Sequence, residues 1–463
     1  MNLALSLLAA AERHPEAEAV VDGDVRLTYS ELLDRVAQLA GGLRQLGVER
    51  GERLAAVVKC RHETVLLYWA AQWLGATFVP LSHRIPEAEL EYCRQDSGAK
   101  ALLEVDVDLP ALRGDPEPGA LSVDERAESL MLYTSGTTGR PKGVPRSHRA
   151  DRAGGLSQAL QHGYRFGDRT LGVMPLYHTM GIHSLITMHL LGGCYVCQPD
   201  WDAGRALELT ERERITSLYL APTLYYDLVH HPSIGGHDLS SIETLAYAGA
   251  AMTGALVEAC DAAFQPRLFV NHYGSTEIYT FSVQRDQPAK PGCAGRPSLH
   301  ARLQLAENGE ILCHMSSDEA FGGYWNRPDA DEKAIVDGWY RTGDVGRFDE
   351  DGDLWVLGRV DDMIVSGGEN IHPLEVEDVL SAHDNVAEVA VIGAPDDRLG
   401  QRVVAIVVAE GEVTAEELDA FCLDSESLAR FKRPREYRFV ETLPKSPSGK
   451  ILRRLLREEA PAT

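Results

Sequence analysis

Basic residues, long apolar runs and a recognisable secretion signal are all scarce in this sequence, and each absence excludes a class of protein. The chain has 45 Lys and Arg against 70 Asp and Glu, which gives a net charge of −25 at pH 7. So acidic a surface repels nucleic acid and anionic lipid, and neither is an expected partner. No uncharged stretch approaches the ~20 apolar residues that a membrane-spanning helix needs. We therefore expect a soluble globular protein.

The N-terminal segment stays apolar for only about ten residues and lacks a basic start, which predicts an amphipathic helix instead of a signal peptide. Eight scattered cysteines without such a signal indicate reduced thiols and a cytoplasmic location. Cys194 and Cys197 are spaced as in a metal or redox pair, but an apolar strand points them to opposite faces, so we expect core cysteines. His178 and His183 lack the Glu of a zinc HExxH motif.

Strand-like and helix-like segments alternate along most of the chain, which indicates an α/β fold with layered, largely parallel sheets. The clearest strand is predicted over Arg53–Val58, and clear helices over Glu63–Leu74 and Gly254–Phe264. Parallel sheets bind ligands at loops beyond the carboxyl ends of their strands. Three candidate loops begin at Thr134, His178 and Gly249.

The sequence changes character near Asp344, where a β-hairpin is predicted with its turn at Asp351-Gly352. A compact β/α segment follows the polar pair Asp361-Asp362, and 463 residues are too many for one ordinary core. We therefore predict a large N-terminal domain of layered sheets and helices over residues 1–360, and a small, mobile α+β C-terminal domain over residues 361–463.

The stretch LYTSGTTGRPKGV (132–144) gathers hydroxyls, glycines and one lysine behind an apolar strand. Glycines free backbone N–H groups to surround an anion, hydroxyls add donors, and lysine adds a point charge. These groups belong to Ser135, Gly136, Thr137, Thr138, Gly139, Lys142 and Gly143. Arg140-Pro141 separates glycine from lysine, so this is not a Walker A loop. From composition alone, a phosphate site and a solvated loop both stay open.

Five motifs in order give the sequence a family resemblance. YTSGTTGRPKG (133–143) resembles the phosphate loop of the adenylate-forming superfamily, which includes acyl-CoA synthetases, luciferases and peptide-synthetase adenylation domains. The others are YGSTE (273–277), GWYRTGD (338–344), GRVDDMIVSGGENIHPLEVE (358–377) and LPKSPSGK (443–450). They resemble the adenine and magnesium, ribose, hinge and catalytic-lysine motifs. The resemblance covers essentially the whole chain, which most resembles benzoate- and chlorobenzoate-type aryl-CoA ligases.

The resemblance implies a reaction in two halves. A carboxylate attacks the α-phosphate of ATP to give acyl-adenylate and pyrophosphate, and the thiol of coenzyme A then displaces AMP to give a thioester. Mg²⁺ would be held by Glu277 and Thr138. The residues implied in ATP and AMP binding are Thr134, Ser135, Gly136, Thr137, Thr138, Gly139, Lys142, Gly249, Ala250, His272, Tyr273, Gly274, Thr276, Asp344 and Arg359. For Glu277, Asp344 and Arg359, an ordinary surface charge or salt bridge is the alternative.

The implied catalytic residues are Lys450, His178 and Glu277. By resemblance, Lys450 spans the α-phosphate and the carboxylate during adenylation. The small domain then rotates about Asp361 and brings a loop into the thiol tunnel. Outside the motif, Lys450 would be an ordinary solvated lysine, and that is the expectation for Lys445. For His178, the alternative is a core histidine bound to a backbone carbonyl.

The implied acyl pocket contains His178, Thr179, Met180, Tyr219, Ala248, Gly249, His272, Gly274 and Ile278. We expect Tyr219, Met180 and Ile278 to form an apolar slot for a ring or a short acyl chain. The Asp that pairs the ammonium group in amino-acid adenylation domains is absent near His178. His272 stands where malonate-type ligases have Arg, so a dicarboxylate is possible but not favoured.

The implied coenzyme A contacts are Arg84, Ser366, Gly367, Gly368, Glu369, Asn370, Arg433 and Arg435. For the arginines, ordinary surface positions are the alternative, and Leu399 departs from the Trp expected near the CoA adenine. The leading hypothesis is a monomeric or homodimeric CoA ligase for an aromatic or short-to-medium acid. The alternatives are a stand-alone adenylation enzyme that loads a carrier-protein phosphopantetheine, a dicarboxylate or fatty acid CoA ligase, and a non-catalytic nucleotide sensor.

Overall fold

The computed structural model describes residues 2–104, 109–134, 140–445 and 451–458. Its helices are α1 (Leu3–Arg13), α2 (Tyr29–Gln45), α3 (His62–Leu74), α4 (Glu87–Ser97), α5 (His148–Gln161), α6 (Thr179–Leu190), α7 (Ala203–Arg212), α8 (Pro222–Val229), α9 (Gly254–Phe264), α10 (Pro328–Ala334), α11 (Pro373–Leu380), α12 (Ala415–Asp424) and α13 (Arg453–Glu458). Short 3₁₀ turns cover Leu109–Leu112, Ile234–Gly236 and Val360–Asp362.

The strands are β1 (Glu18–Asp22), β2 (Val25–Thr28), β3 (Arg53–Val58), β4 (Thr77–Ser82), β5 (Ala101–Leu103), β6 (Glu128–Thr134), β7 (Lys142–Ser147), β8 (Arg169–Gly172), β9 (Cys194–Cys197), β10 (Ser217–Leu220), β11 (Thr244–Tyr247), β12 (Leu268–Tyr273), β13 (Ser282–Gln284), β14 (Arg296–Pro297), β15 (Leu303–Leu305), β16 (Glu310–His314), β17 (Ile335–Val336), β18 (Trp339–Phe348), β19 (Leu354–Arg359), β20 (Ile364–Ser366), β21 (Glu369–Ile371), β22 (Val386–Asp396), β23 (Gly400–Ala409) and β24 (Glu436–Phe439).

Two sheets with parallel centres form the large N-terminal part. The first has the order β14-β13-β12-β11-β10-β8-β9-β1-β2, and its strands from β12 to β1 run parallel. The second has the order β5-β3-β4-β6-β7, and only β7 runs antiparallel to its neighbour. Helices α1, α2, α3 and α6 share one core cluster with both sheets. The carboxyl ends of parallel strands are thereby brought to common edges.

Two smaller sheets complete the molecule. The antiparallel strands β15, β16, β17, β18 and β19 form the third sheet. The C-terminal part contains β20 to β24, with β22 and β23 paired over ten residue pairs. Helices α11 and α12 pack on this last sheet and form a separate core with it. Each part therefore has its own hydrophobic interior, as a domain requires.

The predicted fold class is confirmed: a mixed α/β chain with a large N-terminal and a small C-terminal domain. Strand β3 and helix α9 have the predicted bounds, and the β18–β19 hairpin turns at Gly352, whose φ is +81°. The boundary at residue 361 and the hinge at Asp361 stay predictions. Asp361 is exposed on the Val360–Asp362 turn, while the adjacent Asp362 accepts a hydrogen bond from Arg457 of α13 at 2.5 Å.

All eight cysteines are buried and free, as expected for core thiols. Cys194 and Cys197 on β9 belong to different core clusters, in agreement with the predicted opposite faces of a strand. Burial raises the pKa of the Cys194 thiol to about 12. Among the described residues, no helix combines the length and the apolar character needed to cross a bilayer.

Helix α2 offers a test of packing, because Gly42 lies against the backbone of the chain near Leu112. A Cβ atom at Gly42 would lie 1.3 Å from the Leu112 carbonyl oxygen. In an ordinary helix, Gly→Ala adds about 1 kcal/mol of stability. We expect Gly42→Ala instead to lower the free energy of unfolding by about 2–3 kcal/mol, because a rigid backbone must move. Denaturant unfolding measures this loss.

The matched control is Gly235→Ala, whose Cβ would meet no described atom within 4 Å. Its effect should stay within about 0.5 kcal/mol. If Gly42→Ala stabilised the protein as an ordinary helical substitution does, the described packing of α2 would be incorrect.

Candidate functional site

Two of the predicted loops, at His178 and Gly249, follow strands of the nine-stranded sheet, whereas the loop at Thr134 follows β6 of the second sheet. Ala248, Gly249 and Ala250 follow β11, and the YGSTE segment follows β12, its direct neighbour. His178 lies in the connection after β8 and is the N-cap residue of α6. The hydroxyl of Thr179 donates to the hydroxyl oxygen of Thr276 at 3.0 Å, which ties the start of α6 to the YGSTE segment.

The predicted phosphate loop joins two antiparallel strands. Thr134 at the end of β6 pairs with Lys142 at the start of β7, so residues 135–141 connect the strands of this hairpin, here called the phosphate hairpin. Its members Ser135, Gly136, Thr137, Thr138 and Gly139 lie outside the described residues, as does Lys450. The predictions for these six residues therefore stay predictions.

Tyr324 contacts both Lys142 and Glu277. The Lys142 ammonium lies 4.0 Å from the centre of the Tyr324 ring, and the Tyr324 hydroxyl donates to Glu277 Oε1 at 2.7 Å. Burial raises the pKa of Tyr324, so its hydroxyl keeps the proton that it donates. Burial also lowers the pKa of Lys142, an effect that Glu277 opposes. The lysine of one motif and the carboxylate of another are thus brought together.

The donor chemistry at Glu277 fits Mg²⁺. Its side chain is largely buried, with the residue 7% exposed, and the carboxylate supplies hard oxygen ligands. Mg²⁺ usually takes only one or two protein carboxylates and completes its octahedron with water and substrate phosphate. One carboxylate beside a phosphate hairpin is therefore a sufficient protein contribution.

Tyr273, Asp344 and Arg359 form the predicted ribose cluster. Tyr273 donates its hydroxyl proton to Asp344 Oδ2 at 2.6 Å, and Arg359 Nη1 donates to Asp344 Oδ1 at 2.9 Å. Asp344 and Arg359 are partners across β18 and β19. Gly343 makes room for them: its φ is +72°, and a Cβ there would lie 2.5 Å from Arg359 Nη2. The arginine therefore occupies the space that a side chain would need.

The YGSTE segment folds back on itself at Gly274. A Cβ on Gly274 would lie 1.8 Å from the Tyr279 carbonyl oxygen, so the turn excludes any larger residue. The Ser275 hydroxyl accepts hydrogen bonds from the backbone N–H groups of Glu277 and Ile278. This tight turn fixes the direction in which the Glu277 carboxylate leaves the sheet.

The predicted apolar slot is assembled only in part. Tyr219 and Met180 belong to one cluster with Ala248. Ile278 does not join them: its backbone pairs with Ala320, and its side chain is fully buried in another cluster. Ile278 as a third wall of the slot stays a prediction, and its side chain packs in a cluster with Val144 and Phe281.

His272 is a buried ring whose two nitrogens both face protein atoms, and its roles in ATP and acyl binding stay predictions. It is 2% exposed, its Nε2 donates to the Tyr279 carbonyl oxygen at 3.2 Å, and its Nδ1 lies 3.0 Å from His162 Nε2. Burial lowers the pKa of His272 to about 3, so the ring is neutral. With Tyr219 it forms an aromatic group, since the two ring centres are 5.6 Å apart.

The implied coenzyme A contacts are spread over both domains. Arg84 is exposed in the loop after β4. The ring of its neighbour His83 lies 6.4 Å from the ring of Tyr177, which in turn packs against the ring of His178. In the small domain, Arg435 is exposed and Arg433 Nε lies 2.9 Å from Asp419 Oδ1. The loop Ser366–Asn370 is the turn between β20 and β21, with the Gly367 N–H donating to the Leu399 carbonyl oxygen at 2.8 Å. Leu399, which stands where a Trp is expected near the CoA adenine, thus lies directly beside this loop.

Sequence reasoning missed Tyr324 and a buried pair, Arg146 and Asp151. Tyr324 lies 47 residues from the carboxylate that it contacts, and Arg146 lies 130 residues from its acceptor at Thr276. No local pattern in one sequence signals such contacts, because they depend on how distant segments pack.

Comparison with known proteins agrees with this geometry. The model of the AMP-binding enzyme family matches residues 7–325, and that of the AMP-binding enzyme C-terminal domain matches residues 375–450. The chain belongs to the AMP-binding enzyme family. The predicted reaction class, an ATP-dependent acid–thiol ligase that forms AMP, is confirmed. ATP and coenzyme A are therefore its cosubstrates, and Mg²⁺ is typical of the family.

Individual members of the AMP-binding family resemble the chain over nearly its whole length. A 4-chlorobenzoate–CoA ligase of Arthrobacter sp is 35% identical over 99% of this chain and 95% of the relative. A long-chain-fatty-acid–CoA ligase of Mycobacterium tuberculosis is 32% identical over 100% of this chain and 99% of the relative. The crystal structure of an anthranilate CoA ligase in complex with anthranoyl-AMP superposes with a TM-score of 0.93 at 26% identity. The match covers 99% of this chain and 97% of the ligase chain.

Gly343 provides a test of the ribose cluster. We expect Gly343→Ala to raise the KM for ATP about tenfold, because the new Cβ displaces Arg359 from its hydrogen bond with Asp344. Gly352→Ala is the matched control: its φ of +81° imposes the same backbone strain, but its Cβ would meet no described atom within 4 Å. Steady-state kinetics of the two variants distinguishes the displacement of Arg359 from the backbone strain that both substitutions impose. Equal KM values would show that the cluster does not hold ATP.

Proposed function

We propose that this AMP-binding enzyme activates an aromatic or short carboxylic acid and transfers the acyl group to coenzyme A. The observation that carries the proposal is that the YGSTE segment contacts both other motifs: Glu277 reaches Lys142 of the phosphate hairpin through Tyr324, and Tyr273 donates to Asp344. Asp344 would receive the ribose hydroxyls beside Arg359. Lys142 would face phosphate oxygens, and Glu277 would ligate Mg²⁺ together with Thr138.

The wall of the acyl pocket supports an aromatic acid. Tyr219, Met180 and Ala248 are uncharged, and the adjacent His272 ring is neutral with both nitrogens directed at protein atoms. Such a wall offers no charged partner to an ammonium group or to a second carboxylate, and burying either unpaired would be costly. These features favour an aryl acid over an amino acid and over a dicarboxylate.

The packing of aromatic rings around Tyr219 supports a short substrate. Tyr219 and His272 are each 2% exposed and pack against His162, whose ring centre lies 5.1 Å from that of Tyr219. In the proposed pocket these rings would close the inner end of the slot, so a long acyl chain would have to displace a packed aromatic group. A fatty acid, the substrate class in the name of the Mycobacterium tuberculosis relative, is therefore the second choice.

For the thiol, coenzyme A remains the proposal, with Arg84, Arg433 and Arg435 as its phosphate contacts and the loop Ser366–Asn370 at the tunnel. The Arg433–Asp419 contact and Leu399 favour a carrier protein as the second candidate, since they weaken the nucleotide end of a CoA site. We further propose a cytoplasmic monomer or homodimer, supported by the eight free, buried thiols.

An acid panel tests the substrate. We expect benzoate-like acids to give the largest kcat/KM for pyrophosphate release, because only they fill the slot without stranding a charge. The panel should include amino acids, dicarboxylates and long-chain fatty acids, each with and without coenzyme A. A larger kcat/KM for an amino acid would overturn the aryl assignment. Turnover as efficient with pantetheine as with coenzyme A would favour the carrier-protein alternative.

Lys450 and Lys445 provide a matched pair for the two half-reactions. We expect Lys450→Ala to slow adenylate formation about 10²–10³-fold, because it removes a cation from the transferring charge. Thioester formation from synthetic acyl-adenylate should stay near the wild-type rate. Lys445→Ala should leave both halves nearly unchanged, since Lys445 is bound to Glu388 at 2.7 Å. Single-turnover quench measures each half, and equal slowing of both by Lys450→Ala would contradict the domain-rotation mechanism.

A further inference from the structure

Arg146 is a cation without access to water, located between the parts of the site. Its side chain and that of Asp151 are both 0% exposed, and Arg146 Nε donates to Asp151 Oδ1 at 2.6 Å. A buried ion pair is poor evidence of stabilisation, because desolvation offsets the attraction and an apolar pair is often as stable. The pair therefore needs an explanation other than stability.

The guanidinium group reaches a second acceptor that belongs to the site. Arg146 Nη1 donates to the Thr276 carbonyl oxygen at 2.8 Å, and Thr276 directly precedes Glu277. Arg146 itself lies on β7, the strand that begins at Lys142 in the phosphate hairpin. One side chain thus connects the hairpin that carries Lys142 to the turn that carries Glu277.

Asp151 holds the guanidinium in this orientation. The Ser129 hydroxyl on β6 donates to Asp151 Oδ2 at 2.6 Å, and His183 Nε2 on α6 lies 3.3 Å from Asp151 Oδ1. Burial alone would raise the pKa of Asp151, but the charge of Arg146 holds it well below the ordinary value. The carboxylate is therefore ionised and anchored from two elements.

We infer that Arg146 is a positioning residue that fixes the Glu277 carboxylate relative to Lys142 for adenylate formation. This inference rests on the proposed role of Glu277 as the Mg²⁺ ligand. The planar guanidinium can donate to Asp151 and to Thr276 at once, in fixed directions. Thr179 holds the side chain of Thr276 from the other side, so the turn is clamped through both its backbone and its side chain.

Arg146→Lys tests this role, because it keeps the charge beside Asp151 but loses the fork that reaches Thr276. We expect the half-saturating Mg²⁺ concentration for adenylate formation to rise roughly tenfold or more, as for other residues that orient a metal ligand. Thioester formation from preformed acyl-adenylate should not change. A residue that served folding alone would instead lower the melting temperature and slow both halves alike, and that result would overturn the inference.

Arg402→Lys is the matched control. Arg402 is a similarly buried arginine of the small domain that donates to the Glu436 carboxylate and to the Pro395 carbonyl oxygen. Its replacement should leave the Mg²⁺ dependence of adenylation unchanged. An equal shift in both variants would overturn the inference, since any buried arginine would then have the same effect.

Two further variants keep the outcome decisive. If Arg146→Lys does not fold, the double variant Arg146→Met/Asp151→Leu removes both charges, should fold, and should show the same Mg²⁺ shift.

Glu277→Gln separates this inference from the function on which it rests. A shifted Mg²⁺ curve for Glu277→Gln with a wild-type curve for the Arg146 variant would refute positioning alone. Wild-type curves for both would refute the role of Glu277 and the inference with it.

Discussion

Asp344 accepts two hydrogen bonds from different parts of the large domain and thereby links two of its sheets. Tyr273 ends a strand of the nine-stranded sheet, whereas Arg359 ends β19 of the antiparallel sheet. The chain runs from Arg359 through the Val360–Asp362 turn into the small domain. A ribose bound at Asp344 would therefore lie next to the predicted hinge, and under the proposed mechanism nucleotide occupancy and domain orientation would depend on the same few residues.

The charge distribution separates the surface from the site. The chain carries a net charge of −25, which repels a polyphosphate at long range. Solvent ions screen exposed charges beyond about 10 Å, but they screen buried pairs much less. Glu277 near Lys142 is 7% exposed, and the Asp344 side chain that pairs with Arg359 is 16% exposed, so each contact includes a largely buried carboxylate. The site is thus organised by short-range contacts that stay effective inside an acidic protein.

Local patterns made the framework predictable, and long-range packing limited the prediction of the site. The bounds of β3 and α9 follow from periodicity, and the opposite faces of Cys194 and Cys197 follow from strand geometry. Motif resemblance identified the family and assigned Asp344, Arg359 and Tyr273 to one predicted nucleotide site. The burial of Ile278 in a separate cluster was not predicted, because residues in an irregular turn have no period. Arg146 was missed because its acceptor is 130 residues away.

The arrangement separates recognition of the acid from catalysis. Under the proposed function, the slot formed by Tyr219, Met180 and Ala248 would contact parts of the acid that do not react, and would bind the ground state and the transition state about equally. Lys142 and Glu277 lie where charge would move during adenylation, and only interactions that strengthen there accelerate the reaction. Under this proposal, the slot would set the choice of acid, while the charged groups and the turns that hold them would serve the adenylation step itself.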